Sequence, residues 1–171
     1  MLDQITASIG NFPDKHAFMI QNQSFSYRDL AHTVSRIRTA VEQYASPSER
    51  LIGFLTYDDV ETYCSALGVL FTQFGFVPIN PANPQDRNVS MIEQSGIRTL
   101  LSSTNDEKMR ACCSARGIRF INTSQLASSR IDLSLPTVSD DAIAYLLFTS
   151  GSTGVPKGVP LSRRNLYAFM S

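Results

Sequence analysis

The chain has 171 residues, 43% of them hydrophobic and 18% charged. That length suits one domain with a real core, and the composition excludes a disordered or fibrous chain. Fifteen Lys and Arg balance fifteen Asp and Glu, so no basic field exists for general nucleic-acid binding. Cys64, Cys112 and Cys113 include no C-x-x-C pair. This argues against a disulfide framework and for a reduced, cytoplasmic setting. Cys112 and Cys113 fit two small side chains on a short helix better than a redox pair. With only His16 and His32, a zinc site has little support. Residues 1–10 lack the basic cluster and apolar run of a secretory signal. No stretch approaches the roughly 18 apolar residues of a membrane span.

Residues 17–20 and 24–25 flank Gln21-Asn22-Gln23 and predict a small hairpin. Ser26 is the expected N-cap of the next helix, with Asp29 three positions on. Apolar residues at helical spacing then predict Tyr27–Tyr44 as an amphipathic helix that stops at Ser46-Pro47. Leu51–Leu55 is a short apolar run of buried-strand type. Asp58 and Asp59 favour a helix start; Val60, Tyr63, Cys64, Leu67, Leu70 and Phe71 share one face of that helix. Residues 76–80 form the next strand. Asn83-Pro84 reads as an N-cap followed by Pro at the first helical position, opening a helix to residue 95 that closes at Gly96. A strand over 98–101, a helix capped by Thr104 or Asn105 and closed by Gly117, and a strand over 118–121 follow. Strands and helices that alternate with short connections predict a parallel sheet wrapped by helices. Residues 122–140 break this rhythm and read as a surface connection, with a short extended piece at 131–135.

Residues 143–157 read IAYLLFTSGSTGVPK. An apolar strand over 143–148 runs into Thr149, Ser150, Gly151, Ser152, Thr153 and Gly154, and Lys157 follows Pro156. Glycine lets successive N–H groups converge on one point. Hydroxyls donate to oxyanions, and Lys supplies a mobile charge suited to phosphate. Composition alone fits a solvated Ser/Thr/Gly loop equally well; the strand entry and the Pro-Lys-Gly exit favour a polyphosphate cradle. A P-loop is excluded because Pro156 stands at its second Gly and Gly158 follows the Lys. G-x-G-x-x-G is absent, and Ser150 occupies a required Gly of the hydrolase elbow G-x-S-x-G.

YLLFTSGSTGVPKGV closely resembles the signature loop of the adenylate-forming (AMP-binding) enzymes. These include the amino-acid adenylation domains of nonribosomal peptide synthetases, D-alanine-activating ligases, acyl-CoA synthetases and luciferases. Two further segments agree in order: Phe25-Ser26-Tyr27-Arg28-Asp29-Leu30, and Gly75-Phe76-Val77-Pro78-Ile79-Asn80-Pro81 with Pro84 after it. Residues 87–96 (RNVSMIEQSG) continue in the style of the amino-acid-activating members. The resemblance runs from about Phe12 to Phe169. Two departures stand out. Ser162-Arg163-Arg164 occupies the place where many members carry a His before x-Asn. Thr72-Gln73-Phe74 replaces a common small Ala-Gly pair.

The resemblance implies an α/β fold: a mainly parallel sheet flanked by helices, with a strand–loop–strand unit presenting the phosphate loop. It implies a two-step ligase that joins a carboxylate, here an amino acid by style, to the α-phosphate of ATP with Mg2+. The acyl group then passes to a thiol, often on a carrier protein. Thr149, Ser150, Gly151, Ser152, Thr153 and Gly154 would wrap the β- and γ-phosphates, with Lys157 in electrostatic support and Thr149 and Ser150 foremost in direct contact. Adenine-binding, carboxylate-binding and Mg-binding residues and the late catalytic Lys lie further along the family's chains. Residues 1–171 therefore read as the N-terminal part of an AMP-binding domain, with no catalytic residue or metal ligand of its own and no independent adenylation activity. Two alternatives remain. One is part of a fatty-acyl- or aryl-CoA ligase. The other is a short non-catalytic nucleotide-binding or interaction module, which would self-associate to cover its exposed sheet edge. Tyr27 and Leu30 fit helix core, Phe74, Phe76 and Val77 sheet core, Asn80 and Pro81 a turn, and Arg163 and Arg164 a solvated first helical turn.

Overall fold

The computed structural model describes residues 1–150 and 156–169. Its helices are α1 (Leu2–Asn11), α2 (Tyr27–Tyr44), α3 (Val60–Leu70), α4 (Gln85–Ser95), α5 (Glu107–Ser114) and α6 (Arg163–Phe169). Its strands are β1 (His16–Ile20), β2 (Gln23–Ser26), β3 (Leu51–Leu55), β4 (Gly75–Ile79), β5 (Thr99–Ser102), β6 (Arg119–Asn122), β7 (Ile143–Ser150) and β8 (Pro156–Ser162).

β1 and β2 form the expected antiparallel hairpin. Gln21 and Asn22 both take positive φ, 50° and 64°, which matches a turn whose twist follows that of the strands. The Gln21 amide also donates to the Asp58 carbonyl at 2.9 Å, tying the hairpin to the start of α3.

α2 begins and ends where the sequence places it. The Ser26 hydroxyl accepts from the Asp29 N–H at 3.1 Å, and the Asp29 carboxylate accepts from the Ser26 N–H at 2.8 Å. This reciprocal box satisfies two N–H groups that the helix itself leaves unpaired. Hydrogen bonds from the Ser26 side chain and then its backbone hold the Asp29 carboxyl below the usual Asp range. The cap therefore contributes fully above the unfolded-state pKa of about 3.9 and is lost as pH falls through the lower folded value. Ser26→Ala is expected to cost about 1 kcal/mol at neutral pH, and less once the pH has fallen through the lowered Asp29 value, as read by urea denaturation. Leu30, Ala31, Val34, Ile37 and Val41 form the buried stripe of α2. An Arg36–Glu61 ion pair joins α2 to α3.

The main sheet has six strands in the order β6-β5-β3-β4-β7-β8. All neighbours are parallel except β7 and β8, which are antiparallel. β3 lies centrally with all five residues buried, as an unbroken apolar run requires when both faces are covered. One core packs α1, α2 and α3 on Ile52, Phe54 and Leu101; the other packs α4 and α5 on Leu51, Leu55, Val77, Ile79 and Leu100. The chain is thus a mixed α/β structure with a mostly parallel sheet between helices, as expected.

Some elements differ from the sequence reading. α1 is an addition to it. This helix buries only Leu2 fully, with Ile5 and Ile9 packed partly against the core. β4, β5 and β6 are shifted by a residue from their expected bounds. Pro84, not Asn83, takes the cap position of α4, and the Asn83 amide instead donates to Asn88 Oδ1 at 3.1 Å. Asp106, not Thr104 or Asn105, caps α5 by accepting from the Met109 N–H at 2.9 Å. Residues 131–135 form no strand. They are fastened to α2, where Arg38 donates to the Ser134 carbonyl at 2.8 Å and Ser35 accepts from the Asp132 N–H at 2.9 Å.

A candidate phosphate-binding hairpin

β7 is built as the sequence predicts, from an apolar run with a face in each core. Ile143, Leu146 and Phe148 pack towards α4 and α5, while Ala144 and Tyr145 belong to the other side. Tyr145 stacks on Phe76 with ring centroids 5.4 Å apart, and Phe76 lies 5.5 Å from Phe54. This aromatic row crosses β3, β4 and β7 and fixes the hairpin's facing.

β8 returns alongside β7 in a long ladder from Ile143↔Ser162 to Ser150↔Pro156. The ladder closes at Pro156, so residues 151–155 connect the two strands. Thr149 and Lys157 face one another one rung below the closing Ser150↔Pro156 pair. Directly opposed residues in an antiparallel pair point to the same face, so hydroxyl and ammonium leave the sheet together. The Thr149 hydroxyl donates to the Lys157 carbonyl at 3.5 Å. Lys157 is exposed and has no ion-pair partner among the described residues. Gly158 lies under the Leu146 and Phe148 side chains; an added Cβ would meet them at 3.1 and 3.3 Å. Of the expected phosphate contacts, Thr149 and Lys157 are therefore brought together and Ser150 closes the ladder. Gly151, Ser152, Thr153 and Gly154 lie outside the described residues.

The position of this hairpin in the sheet is informative. β4 sends the chain back across β3 to β5, whereas β7 sends it outward to β8. Ligands of open α/β sheets gather at the carboxyl ends of strands where connections diverge in this way. Connections also diverge between β3 and β5, but there the side chains are occupied. Asp59 and Asp106 cap α3 and α5, the Ser103 hydroxyl donates to Asp59, and the Tyr57 hydroxyl donates to Asp106 at 3.3 Å. A cavity of about 620 Å³ opens between α1, β1, α2 and α3, walled by Phe18, Tyr27, Phe54, Tyr63 and Leu67 among others, with no Lys or Arg. Its apolar walls do not suit a triphosphate.

Two residues have roles that the sequence does not reveal. Asn88, 1% exposed, donates from its amide to the Asn80 carbonyl at 2.9 Å and so holds the turn after β4. Asn80 and Pro81 shape that turn, as expected; the Asn80 side chain accepts from the Ala82 N–H at 2.9 Å. Arg163 is the larger surprise. It is not a solvated first turn but 2% exposed. Its guanidinium donates to the carbonyls of Leu70, Thr72 and Phe74 at 3.0, 2.8 and 3.1 Å. The two departures from the family pattern are thus in contact: the Arg of one holds the backbone of the other. Arg164 matches expectation, exposed and paired with Asp141 at 3.0 Å.

Cys64, Cys112 and Cys113 are free and buried. Burial pushes the Cys64 and Cys113 thiols up to about 12, which leaves them unreactive. No group of His, Cys, Asp and Glu among the described residues could hold a metal ion. No helix among them is long and apolar enough to cross a membrane.

A mostly parallel sheet between helices, with a hairpin leaving it at a switch point, defines an α/β domain of the open-sheet, ligand-binding type. A family model described as AMP-binding enzyme matches residues 5–171, and the chain belongs to that family. It is 27% identical over 161 residues to bacitracin synthase 3 of Bacillus licheniformis, covering 93% of this chain and 2% of that protein. It is 29% identical over 181 residues to the nonribosomal peptide synthetase agiA of Aspergillus flavus, covering 99% of this chain and 2% of that protein. The chain thus spans only a small part of these relatives. Among solved structures, the nonribosomal peptide synthetase FmoA3 bound to α-methyl-L-serine-AMP superposes with a TM-score of 0.80 at 21% identity, over 95% of this chain and 18% of that one. The Klebsiella oxytoca NpsA N-terminal subdomain, in complex with 3-hydroxyanthranilyl-AMSN, gives 0.75 at 21% identity, over 96% of this chain and 40% of that one. The fatty acyl-adenylate ligase of L. pneumophila gives 0.78 at 20% identity, over 99% and 31%. These superpositions establish the fold.

Proposed function

We propose that this chain is the N-terminal part of an ATP-dependent ligase that activates a carboxylate as an acyl-adenylate and passes it to a thiol. The carboxylate class is an amino acid, supported by the peptide-synthetase relatives, and the thiol is that of a carrier protein. The chain's own contribution is to hold the β- and γ-phosphates of ATP with Thr149, Ser150, Gly151, Ser152, Thr153, Gly154 and Lys157. The observation that carries this reading is the paired exit of Thr149 and a Lys157 with no acidic partner among the described residues, near the mouth of the hairpin. Oxyanion donors and one mobile cation within one short segment fit a polyphosphate. Adenylyl transfer asks the protein chiefly for positioning and charge neutralisation. The family's Mg2+ would come with the nucleotide and find its protein ligand outside these residues.

Titration calorimetry with the chain tests this. ATP and inorganic tripolyphosphate are expected to bind and to compete with one another, while adenosine does not compete. Competition by adenosine as strong as that by tripolyphosphate would overturn the assignment, because binding would then run through the base. ATP–pyrophosphate exchange by the chain alone is expected to be absent with every amino acid tried.

A further inference from the structure

We propose that Arg163 is the positioning residue of the phosphate-loop hairpin, a pin that fixes the hairpin's base to the turn between α3 and β4. This rests on the reading of residues 149–157 as the phosphate loop. Core packing holds the inner face of β7, but few hydrogen bonds hold the hairpin to the rest of the sheet. β8 is the edge strand, hydrogen-bonded on one side only. β7 pairs with β4 at a single register position, Phe76↔Tyr145. Two residues further along β4 stands Pro78, which has no N–H to give to a neighbouring strand. Beyond Tyr145, therefore, β7 and β8 rely on each other and on packing against the core.

The base is held differently. The Arg163 N–H donates to the Ala142 carbonyl at 2.9 Å, and the Arg164 N–H to the Asp140 carbonyl at 2.8 Å. The Arg163 side chain then reaches the α3–β4 turn. Leu70 ends α3, so its carbonyl is one that the helix cannot satisfy itself. A planar guanidinium can bridge three carbonyls at once; an ammonium on a flexible stem cannot hold that geometry. No carboxylate pairs with Arg163 among the described residues. Its buried charge is balanced by carbonyl dipoles and by the negative end of α3. The contact is thus specific to this turn and joins residues about ninety positions apart.

A hairpin pinned at one end acts as a lever. From Ser162 to Pro156 the ladder is about 20 Å long at the usual rise per residue. A rotation of the base by about 3° therefore moves the tip by about 1 Å, a displacement that is costly wherever donors must meet a ligand at fixed distance.

The test is amide hydrogen exchange and ATP titration on the chain with Arg163→Ala and Arg163→Lys, the latter for the case in which the former does not fold. In each folded variant, amides of residues 146–149, 157–159 and 161 are expected to exchange about tenfold faster relative to those of β3 and β5, as local opening requires. ATP affinity is expected to fall in step, with Lys closer to wild type than Ala. Two results would overturn the proposal: hairpin amides that speed up only as much as β3 and β5, which is global destabilisation, or selectively faster hairpin exchange with unchanged ATP affinity. A wild-type chain that binds no ATP would instead defeat the phosphate-loop reading, and the exchange data would still decide whether Arg163 pins the hairpin.

Discussion

Replacing Gly75 by Val is expected to leave the chain unfolded, and Gly75→Ala to lower the urea midpoint by more than about 1 M. Gly75 opens β4 at the point where β7 comes alongside. A Cβ built there would lie 2.4 Å from the Ile143 carbonyl oxygen and 3.0 Å from that of Ala144. Both atoms are backbone, so no rotamer change relieves the contact; β7 itself must move. Leu51 Cδ2, also at 3.0 Å, closes the other direction. Overpacking typically costs about 1–3 kcal/mol and more where backbone must shift, so Ala is expected near the top of that range, at about 3 kcal/mol. Val adds two further carbons, and its cost approaches the whole stability of a domain of this size, about 5–15 kcal/mol. The control is Gly10→Ala. Gly10 lies in α1 with nothing within 4 Å of its Cβ position, so that variant is expected to hold or gain up to about 1 kcal/mol. A Gly75→Ala midpoint equal to wild type would mean that β7 does not lie beside β4 as described.

Gly75 also shows what kind of information the sequence carries. α2 is legible because its signals are local. Ser26 and Asp29 sit three apart, apolar residues recur on one face, and Ser46-Pro47 stops the helix; the observed Tyr27–Tyr44 follows from these alone. β3 is legible because five apolar residues in a row suit only a strand covered on both faces. The β7–β8 hairpin is legible in part: the apolar run of β7 and the turn residues after it are contiguous, whereas the returning strand comes only with the resemblance. α1 is less so, since ten residues with no side-chain cap and one fully buried position give a weak pattern. At α5 the sequence points to Thr104 or Asn105, and the cap falls instead on Asp106, the next residue with a capping side chain. Arg163 and Asn88 are harder still. Arg163 looks like any charged residue opening a helix, because its partners Leu70, Thr72 and Phe74 are brought to it only by the sheet order. Asn88 looks like a polar residue on an exposed face until the turn after β4 folds over it. In the sequence Gly75 is one letter of a motif, and its reason, the approach of β7, is a tertiary fact.

Lys157→Ala is expected to separate binding from folding. Lys157 is exposed, and its backbone already sits in the ladder opposite Thr149. Removing its ammonium breaks no ion pair among the described residues. Its effect on stability should therefore lie within about 0.5 kcal/mol, the ordinary range for surface positions. Its effect on tripolyphosphate should be far larger. A charge-assisted contact contributes about 1.5–3 kcal/mol, so affinity for ATP and tripolyphosphate is expected to fall about 10- to 100-fold, with adenosine unaffected. Lys157→Glu should weaken binding further, because a repulsive charge replaces an attractive one. Lys157→Arg should retain most of the affinity, since at a solvated site the charge matters more than the shape of its fork. Raising salt should weaken wild-type binding and narrow the gap to Lys157→Ala, as screening shortens the reach of an exposed cation. If Lys157→Ala binds tripolyphosphate as tightly as wild type while remaining equally stable, the cation plays no part, and any anion affinity belongs to the backbone N–H groups and hydroxyls of residues 149–154 alone.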